Sequence, residues 1–254
     1  MHTLTNGLIS TIFGAFLINY RLRNIYLTWR LTLGVLLLSA CSPVHVGAST
    51  TPCPPGDSFS QDQTLPTEIP AKLTQVLLSH KGYGLLAKFE EEKTILVLQR
   101  PLRSTGHLIF LPQQGLYRQL VTPFRQELLI TTTAVHQRDD RGRVETMALE
   151  KLPFAKALVE GFLTVFSGSW ESLYSHFQVY FFSADPHWKL GLLPKHAMVS
   201  QLISCLILEG ENHQVLHLWV HEANGDITHD RFLESQILTP DHWDDYRWQF
   251  EWGH

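Results

Sequence analysis

The strongest constraint on the fold is a change in the period of the apolar residues near the middle of the chain. Before Glu150, and again from Phe177 onwards, short apolar segments of the kind that form strands are separated by turn signals. Between them, "LPFAKALVEGFLTVFSG" and "SWESLYSHF" repeat their apolar residues at helical spacing. Short connections between neighbouring strand segments favour antiparallel pairing. The sequence therefore predicts an antiparallel sheet interrupted by a pair of helices.

The predicted elements follow the order helix, five strands, two helices, five strands. A first helix is expected from Thr67 to a stop before Gly82, a second from Pro153, and a third that Ser169 caps. The first strand run comprises residues 94–98, 106–111, 116–120, 127–135 and 143–149. The second run comprises "FQVYFFSA", "HWKLGLLP", "QLISCLILEG", "QVLHLWVHE" and "DITHDRF". An Asn224-Gly225 turn joins the last two strands as a hairpin.

The stretch "HLIFLPQQGLYRQLVTPFRQELLI" has apolar residues at both odd and even positions. Because successive side chains of a strand point to opposite faces, both faces of these strands must be buried. A single antiparallel sheet of about ten to eleven strands tends to curl. The three predicted helices are the only long amphipathic elements that could cover its concave side. We therefore predict an α+β fold, an antiparallel half-barrel with helices covering the concave face.

The N-terminus has the parts of a secretory signal. Arginines precede the short apolar run "LTLGVLLL", which ends in Ser39-Ala40-Cys41. Eight apolar residues are too few for a transmembrane helix. A second apolar run, residues 8–20, lies upstream, so either translation starts later or this run contributes to targeting. We expect residues 1–40 to be a signal segment, with a lipobox that makes Cys41 the lipidated first residue of the mature protein.

Residues 41–66 are rich in Pro, Ser, Thr and Gly and predict a flexible tether before a domain of residues 67–238. Two further cysteines, Cys53 and Cys205, could pair in an oxidising compartment. We favour two separate thiols, because Cys53 lies in the tether and Cys205 is a small apolar residue in "LISCLIL". Residues 239–254 form an aromatic and acidic tail, which either packs on the sheet edge or offers a strip for a partner; we favour packing.

Three segments of the sequence match motifs of one family. "KFEEEK" is followed by Gly106-x-Leu108-x-Phe110-x-Pro112, "HWKLGLLPK" is similar to a W-x-L-x-L-x-P-K strand, and "ANGDITHDRF" is similar to the hairpin that follows it. Together these segments resemble the LolA/LolB group of periplasmic lipoprotein carriers and outer-membrane receptors. The resemblance spans roughly residues 73–232. Where the family's carriers have a basic residue that helps to hold the lid shut, this chain has Leu111.

The resemblance implies that the chain binds acyl chains of lipoproteins or lipids in an apolar cavity and helps to deliver them to the outer membrane, as a carrier or receptor. It implies a periplasmic, lipid-anchored monomer, with a donor or acceptor protein in the envelope as a further partner. The expected cavity lining comprises Leu108, Phe110, Tyr117, Leu129, Trp188, Leu190 and Leu192 from the strands and Phe162 and Phe166 from the lid. The alternative is a lipid-anchored structural or assembly module of the envelope without transport activity.

Other chemistry finds little support in the sequence. A net charge of -4 provides no basic surface for nucleic acid. The motifs G-x-S-x-G, P-loop, G-x-G-x-x-G and paired cysteines are missing, so we expect no catalytic site, no cofactor and no metal. His213, His217 and His221 recur every four residues, but on a strand that spacing separates them by about 13 Å. One metal ion cannot bridge that distance.

Overall fold

The computed structural model describes Cys53 and residues 71–151, 153–167 and 169–253. The predicted signal segment and Cys41 lie outside the described residues, as does the tether apart from Cys53. No helix among the described residues is long and apolar enough to cross a membrane.

One antiparallel sheet organises the described residues, and it contains eleven strands. The six strands before the helix pair are β1 (Gly84–Thr94), β2 (Leu102–Leu111), β3 (Gly115–Thr122), β4 (Gln126–Ile130), β5 (Ala134–Arg138) and β6 (Val144–Ala148). The five after it are β7 (Phe177–Ala184), β8 (His187–Pro194), β9 (Ile203–Glu211), β10 (Gln214–Glu222) and β11 (Ile227–Leu238). Their spatial order is β6-β5-β4-β3-β2-β1-β11-β10-β9-β8-β7. This open sheet confirms the predicted α+β half-barrel.

Within the described part of the chain, four α-helices accompany the sheet: α1 (Ala71–His80), α2 (Pro153–Ser167), α3 (Trp170–His176) and α4 (Ala197–Ser200). Pro153 opens α2, and the Ser169 side chain caps α3 by accepting from the Ser172 amide, both as predicted. Because β6 and β7 are the two edge strands, α2 and α3 carry the chain from one edge of the sheet to the other. Short 3₁₀ helices are also present at Leu149–Lys151, Pro240–His242 and Arg247–Gly253.

The prediction of a first strand at residues 94–98 is wrong. The strand is β1, and the chain turns after it, with the Leu98 amide donating to the Ile95 carbonyl. The run "EEEK" in β1 looks solvent-exposed in sequence, yet Glu91 and Lys93 are buried while the residues between and around them are not. Ion pairs formed inside the fold allow this polar segment to alternate as a strand.

The predicted strand at residues 127–135 is two strands, β4 and β5. The Thr131 hydroxyl accepts from the Thr133 and Ala134 amides and donates to the Ala134 carbonyl, so it closes a tight turn. Threonine is a strand-forming residue, and three consecutive threonines concealed this turn in the sequence.

The sheet has two faces that are covered differently. On the helix-side face, Phe110 of β2 lies 5.8 Å from Phe166 of α2, measured between ring centroids. On the tail-side face, Tyr117 of β3 lies 6.3 Å from Phe250 in the C-terminal 3₁₀ helix. Tyr117 pairs with Ile109 in the register, one residue from Phe110, so the two contacts lie on opposite faces.

The C-terminal tail buries the second apolar face of the stretch 107–130. Phe250 packs in a cluster with Ile109, Leu111, Tyr117, Leu129 and Leu238. Trp243, Tyr246 and Trp252 pack at the margin of this cluster, and the Arg138 guanidinium lies 4.5 Å above the ring of Trp252. Residues 239–253 are therefore an integral cover of the sheet, the packed arrangement that we favoured.

Cys53 and Cys205 form a disulfide, which corrects our preference for two separate thiols. The bond joins two positions 152 residues apart and attaches the segment around Cys53 to the buried Cys205 of β9. The flexible composition around Cys53 concealed this pairing, because local sequence says nothing about a partner so distant along the chain.

Candidate functional site

Five of the predicted lining residues share the helix-side face. Leu108 and Phe110 of β2, and Trp188, Leu190 and Leu192 of β8, are all buried. The cross-strand register links the two strands: Leu190 pairs with Leu208, Leu208 with Leu218, Leu218 with Asp230, and Asp230 with Glu91 of β1. Glu91 in turn has the same parity in β1 as Ala87, the partner of Leu108. The apolar surface therefore extends over strands far apart in sequence.

The helices cover this surface. In α2, Phe166 contacts Phe110, and Gly161 lies so close to Phe177 of β7 that an added Cβ would be 3.0 Å from that ring. Phe162 lies on α2, but its side chain is outside the description. The remaining cover comes from α1, α3 and α4, which pack against α2 and bury Leu73, Leu173 and Val199 respectively.

Tyr117 and Leu129 do not share the surface with the other predicted lining residues. Both lie on the tail-side face, in the cluster around Phe250, and they pair with each other across β3 and β4. The sequence shows two apolar parities in this region without showing which one faces the helices. We therefore leave both residues out of the candidate site.

Two lysines connect helices α1 and α3 to residues at the ends of the strands. Lys195, just after β8, donates to the Tyr174 carbonyl of α3 at 2.6 Å, and its ammonium group lies 3.9 Å from the Tyr174 ring centroid. Lys72 of α1 bonds Asp185 in the β7–β8 turn at 2.7 Å. Leu111 is fully buried on the tail-side face, so it cannot hold the helices.

A buried charge cluster lies on the same helix-side face. Arg118 of β3 donates to Glu91 at 2.7 Å and to Asp230 of β11 at 3.0 Å, and its guanidinium stacks 4.1 Å from the Phe89 ring centroid. Ser104 donates to Glu91 at 2.8 Å. Two carboxylates thus share one guanidinium out of water. Burial raises the pKa of Asp230 to about 7; nearby Arg118 lowers it in part, and nearby Glu91 raises it further.

A second buried pair extends this polar region. Lys93 of β1 bonds Glu222 of β10 at 2.5 Å, and both side chains are nearly inaccessible. The polar region and the apolar surface therefore divide the helix-side face between them. Lys93 belongs to the segment "KFEEEK" that carries the family resemblance, but its partner Glu222 is 129 residues away and could not be identified from sequence.

Among the described residues, the three histidines that were considered as metal ligands in sequence do not form a metal site together. His217 and His221 lie on β10, with His213 in the turn before it, as the strand interpretation predicts. Cys53, Cys205 and His221 have ligand atoms within 4.8 Å of one another. The two sulfur atoms are joined to each other, however, and offer no thiolate.

Comparisons with known proteins bear on this arrangement. The family model described as outer membrane lipoprotein carrier protein LolA-like matches residues 73–232, more than half of the chain. No curated protein matches the sequence.

Three solved structures are similar at low identity. A LolA superfamily protein from Nitrosomonas europaea has 8% identity and a TM-score of 0.38, with 68% of this chain and 96% of that chain covered. The MucA/MucB complex of Pseudomonas aeruginosa has 14% identity and a TM-score of 0.33, covering 67% and 58%. LprF from Mycobacterium bovis has 9% identity and a TM-score of 0.32, covering 65% and 93%.

The resemblance drawn from the motifs is confirmed by the family match over the same residues, 73–232. The chain belongs to the family of LolA-like outer membrane lipoprotein carrier proteins.

Proposed function

We propose that the protein binds the acyl chains of lipoproteins or lipids on the helix-side face and helps to deliver them to the outer membrane. It works from the periplasm, anchored through lipidated Cys41, as a monomer that meets a donor or acceptor protein of the envelope. The chemistry is binding and release rather than catalysis.

The apolar helix-side face beneath a layer of short helices is the observation that carries this proposal. Each methylene moved from water to such a surface contributes about 0.8 kcal/mol. Acyl chains can therefore pass between two surfaces of this kind without a covalent step. Since α2 and α3 connect the two edge strands, their displacement exposes the surface without breaking a strand pair.

A matched pair of leucine variants tests where the ligand binds. Leu108 and Leu129 are both buried leucines of the same sheet, on the helix-side and tail-side faces respectively. Either change to Ala removes similar packing, about 2–5 kcal/mol of stability. A fluorescent fatty acid should bind wild type and Leu129→Ala alike and Leu108→Ala more weakly, under conditions where circular dichroism shows all three folded. Equal weakening in both variants, or no saturable binding to wild type, would refute the proposal.

Delivery and anchoring need their own measurements. Labelled palmitate should enter the wild-type chain and not Cys41→Ala. A fluorescent acylated peptide loaded on the chain should move to outer-membrane vesicles at a rate that depends on Leu108. Binding without any transfer would favour the alternative, an anchored assembly module.

A further inference from the structure

Two histidines from neighbouring strands meet on the tail-side face, away from the candidate lipid surface. His217 lies on β10 and His229 on β11, and their ring atoms Nδ1 and Nε2 are 3.0 Å apart. In the register, His217 pairs with Arg231, and Trp219 pairs with His229. The two histidines are therefore diagonal neighbours on one face. The spacing of four along β10 had pointed to the wrong partners.

The surroundings of both imidazoles favour the neutral form. Burial lowers the pKa of each ring, and Arg231 lowers both further. Glu209 acts on both rings and Glu92 on His229 in the opposite direction, without reversing the shift. A neutral imidazole has one nitrogen lone pair to donate, and the tautomer decides which nitrogen carries it. With the protons on the outer nitrogens, the two facing atoms become two ligands.

The separation of these atoms suits a metal ion. Imidazole nitrogens bind Zn²⁺ at about 2.0–2.1 Å. At that bond length, two nitrogens are about 2.9 Å apart in square-planar geometry and about 3.3 Å apart in tetrahedral geometry. The observed 3.0 Å lies between these values. A small rotation of the rings would direct both lone pairs to one point.

Carboxylates flank the pair on the two outer strands. Glu209 of β9 is the register partner of His217, and Glu92 of β1 is the register partner of His229. Lys189 bonds Oε1 of Glu209 at 2.5 Å, and Arg103 bonds Oε2 of Glu92 at 3.0 Å. Among the described residues, neither carboxylate forms a three-ligand group with the two rings at mutual distances within 4.8 Å. The two carboxylates therefore place negative charge beside the pair without joining it as a third ligand.

A groove gives an ion access to this place. Its volume is about 480 Å³. The lining on this face consists of Glu90, Glu92, Arg103, Thr105, His229 and Arg231. Of the pair, His229 lines this groove, on the side formed by β11, where Trp219 stacks on His229 with ring centroids 4.4 Å apart.

We propose that His217 and His229 together bind a divalent transition-metal ion through their two facing imidazole nitrogens. Imidazole suits copper, nickel and zinc, and the general order of stability places Cu²⁺ tightest among them. The site is independent of acyl-chain binding, because it lies on the opposite face of the sheet.

Titration of the purified full-length chain with copper sulfate tests the site. Calorimetry should show one preferred Cu²⁺ site, and Trp219 fluorescence should fall as the ion fills it. His217→Ala and His229→Ala should each weaken Cu²⁺ binding by about tenfold or more, since even indirect partners of a ligand cost 10- to 100-fold. His213→Ala, exposed in the turn before β10, is the matched control and should bind as wild type does. Trp219→Phe should bind Cu²⁺ but lose the quenching.

A spectroscopic measurement on the wild type is independent of how the variants fold. At half an equivalent of Cu²⁺, electron paramagnetic resonance should show couplings from two imidazole nitrogens. Coupling from one imidazole or none, or unchanged affinity in His217→Ala and His229→Ala, would overturn the proposal and leave the pair as a hydrogen bond that joins β10 to β11.

Discussion

The packing of the C-terminal tail predicts a large effect for a single substitution. Phe250 is 3% exposed and fills the centre of the cluster beneath the tail-side face. Phe250→Ala removes a ring that contacts Tyr117 and leaves a cavity in a cluster with four buried aliphatic side chains. Substitutions of this kind cost about 3–5 kcal/mol. We expect a loss in that range, because neighbouring side chains in an antiparallel sheet can relax only slightly to fill the space.

The assay is urea denaturation followed by far-UV circular dichroism. With a urea dependence of about 1–3 kcal/mol per molar, the loss should lower the midpoint by about 1–5 M. Trp248→Ala is the matched control, because it removes an aromatic residue of the same 3₁₀ helix that is 60% exposed. Its effect should stay within about 0.5 kcal/mol.

The comparison of these two variants tests whether the C-terminal tail is part of the folded core. Equal midpoints for Phe250→Ala and Trp248→Ala would show that the tail is not part of the folded core. Fatty-acid binding should survive in Phe250→Ala under native conditions, since the altered cluster lies on the face opposite the candidate site. Loss of binding in a folded Phe250→Ala protein would contradict the separation of the two faces.

Three further substitutions test other features. Burial alone raises the pKa of Glu127, but hydrogen bonds from Arg138 and neighbouring groups lower it to about 2. The stability difference between wild type and Glu127→Gln should therefore be full above about pH 4.5 and shrink as the pH falls towards 2. Denaturation at each pH measures this difference. The pKa of Asp230 is raised to about 7 in the folded protein. Wild type should therefore lose stability as the pH rises from about 4 to 7, while Asp230→Asn should not. A difference in unfolding free energy between the two proteins that does not change with pH would refute this. A Cβ at Gly106 would lie 2.0 Å from a backbone oxygen of β3, so Gly106→Ala should lower the free energy of unfolding by about 3 kcal/mol or more. Gly142→Ala is the control, because its Cβ meets nothing within 4 Å. It should cost only about 1 kcal/mol, for the positive φ at that position.

Periodicity was sufficient to predict the architecture. The helical repeat that begins at Pro153 and the cap at Ser169 are local signals, and the structure contains both. The predicted strand count follows from turn signals, which are also local. These features depend on residues that are close in sequence, so a single sequence was enough to predict them.

Apart from the local turn at Thr131, the details that failed depend on distant partners. β1 was misplaced because "EEEK" becomes a strand only when Arg118 and Glu222 neutralise its inward charges, and Glu222 is 129 residues from Lys93. The sequence did not separate Tyr117 and Leu129 from the helix-side residues, because the tail that covers them lies at the far end of the chain. Histidines on different strands were not compared, so the pair His217 and His229 was missed.

The position of β1 in the sheet has a consequence for the order of folding. Its neighbours are β2, which follows it directly, and β11, the last strand of the chain, with Gly84 opposite Leu238. During synthesis, one side of β1 stays without a partner until almost the whole domain has been made. Pairings between residues so far apart in sequence form slowly, and a bare strand edge invites contact with other chains. The nascent chain is thus most prone to aggregation before its final strand is available, and a truncated product that ends before Ile227 would keep that edge open.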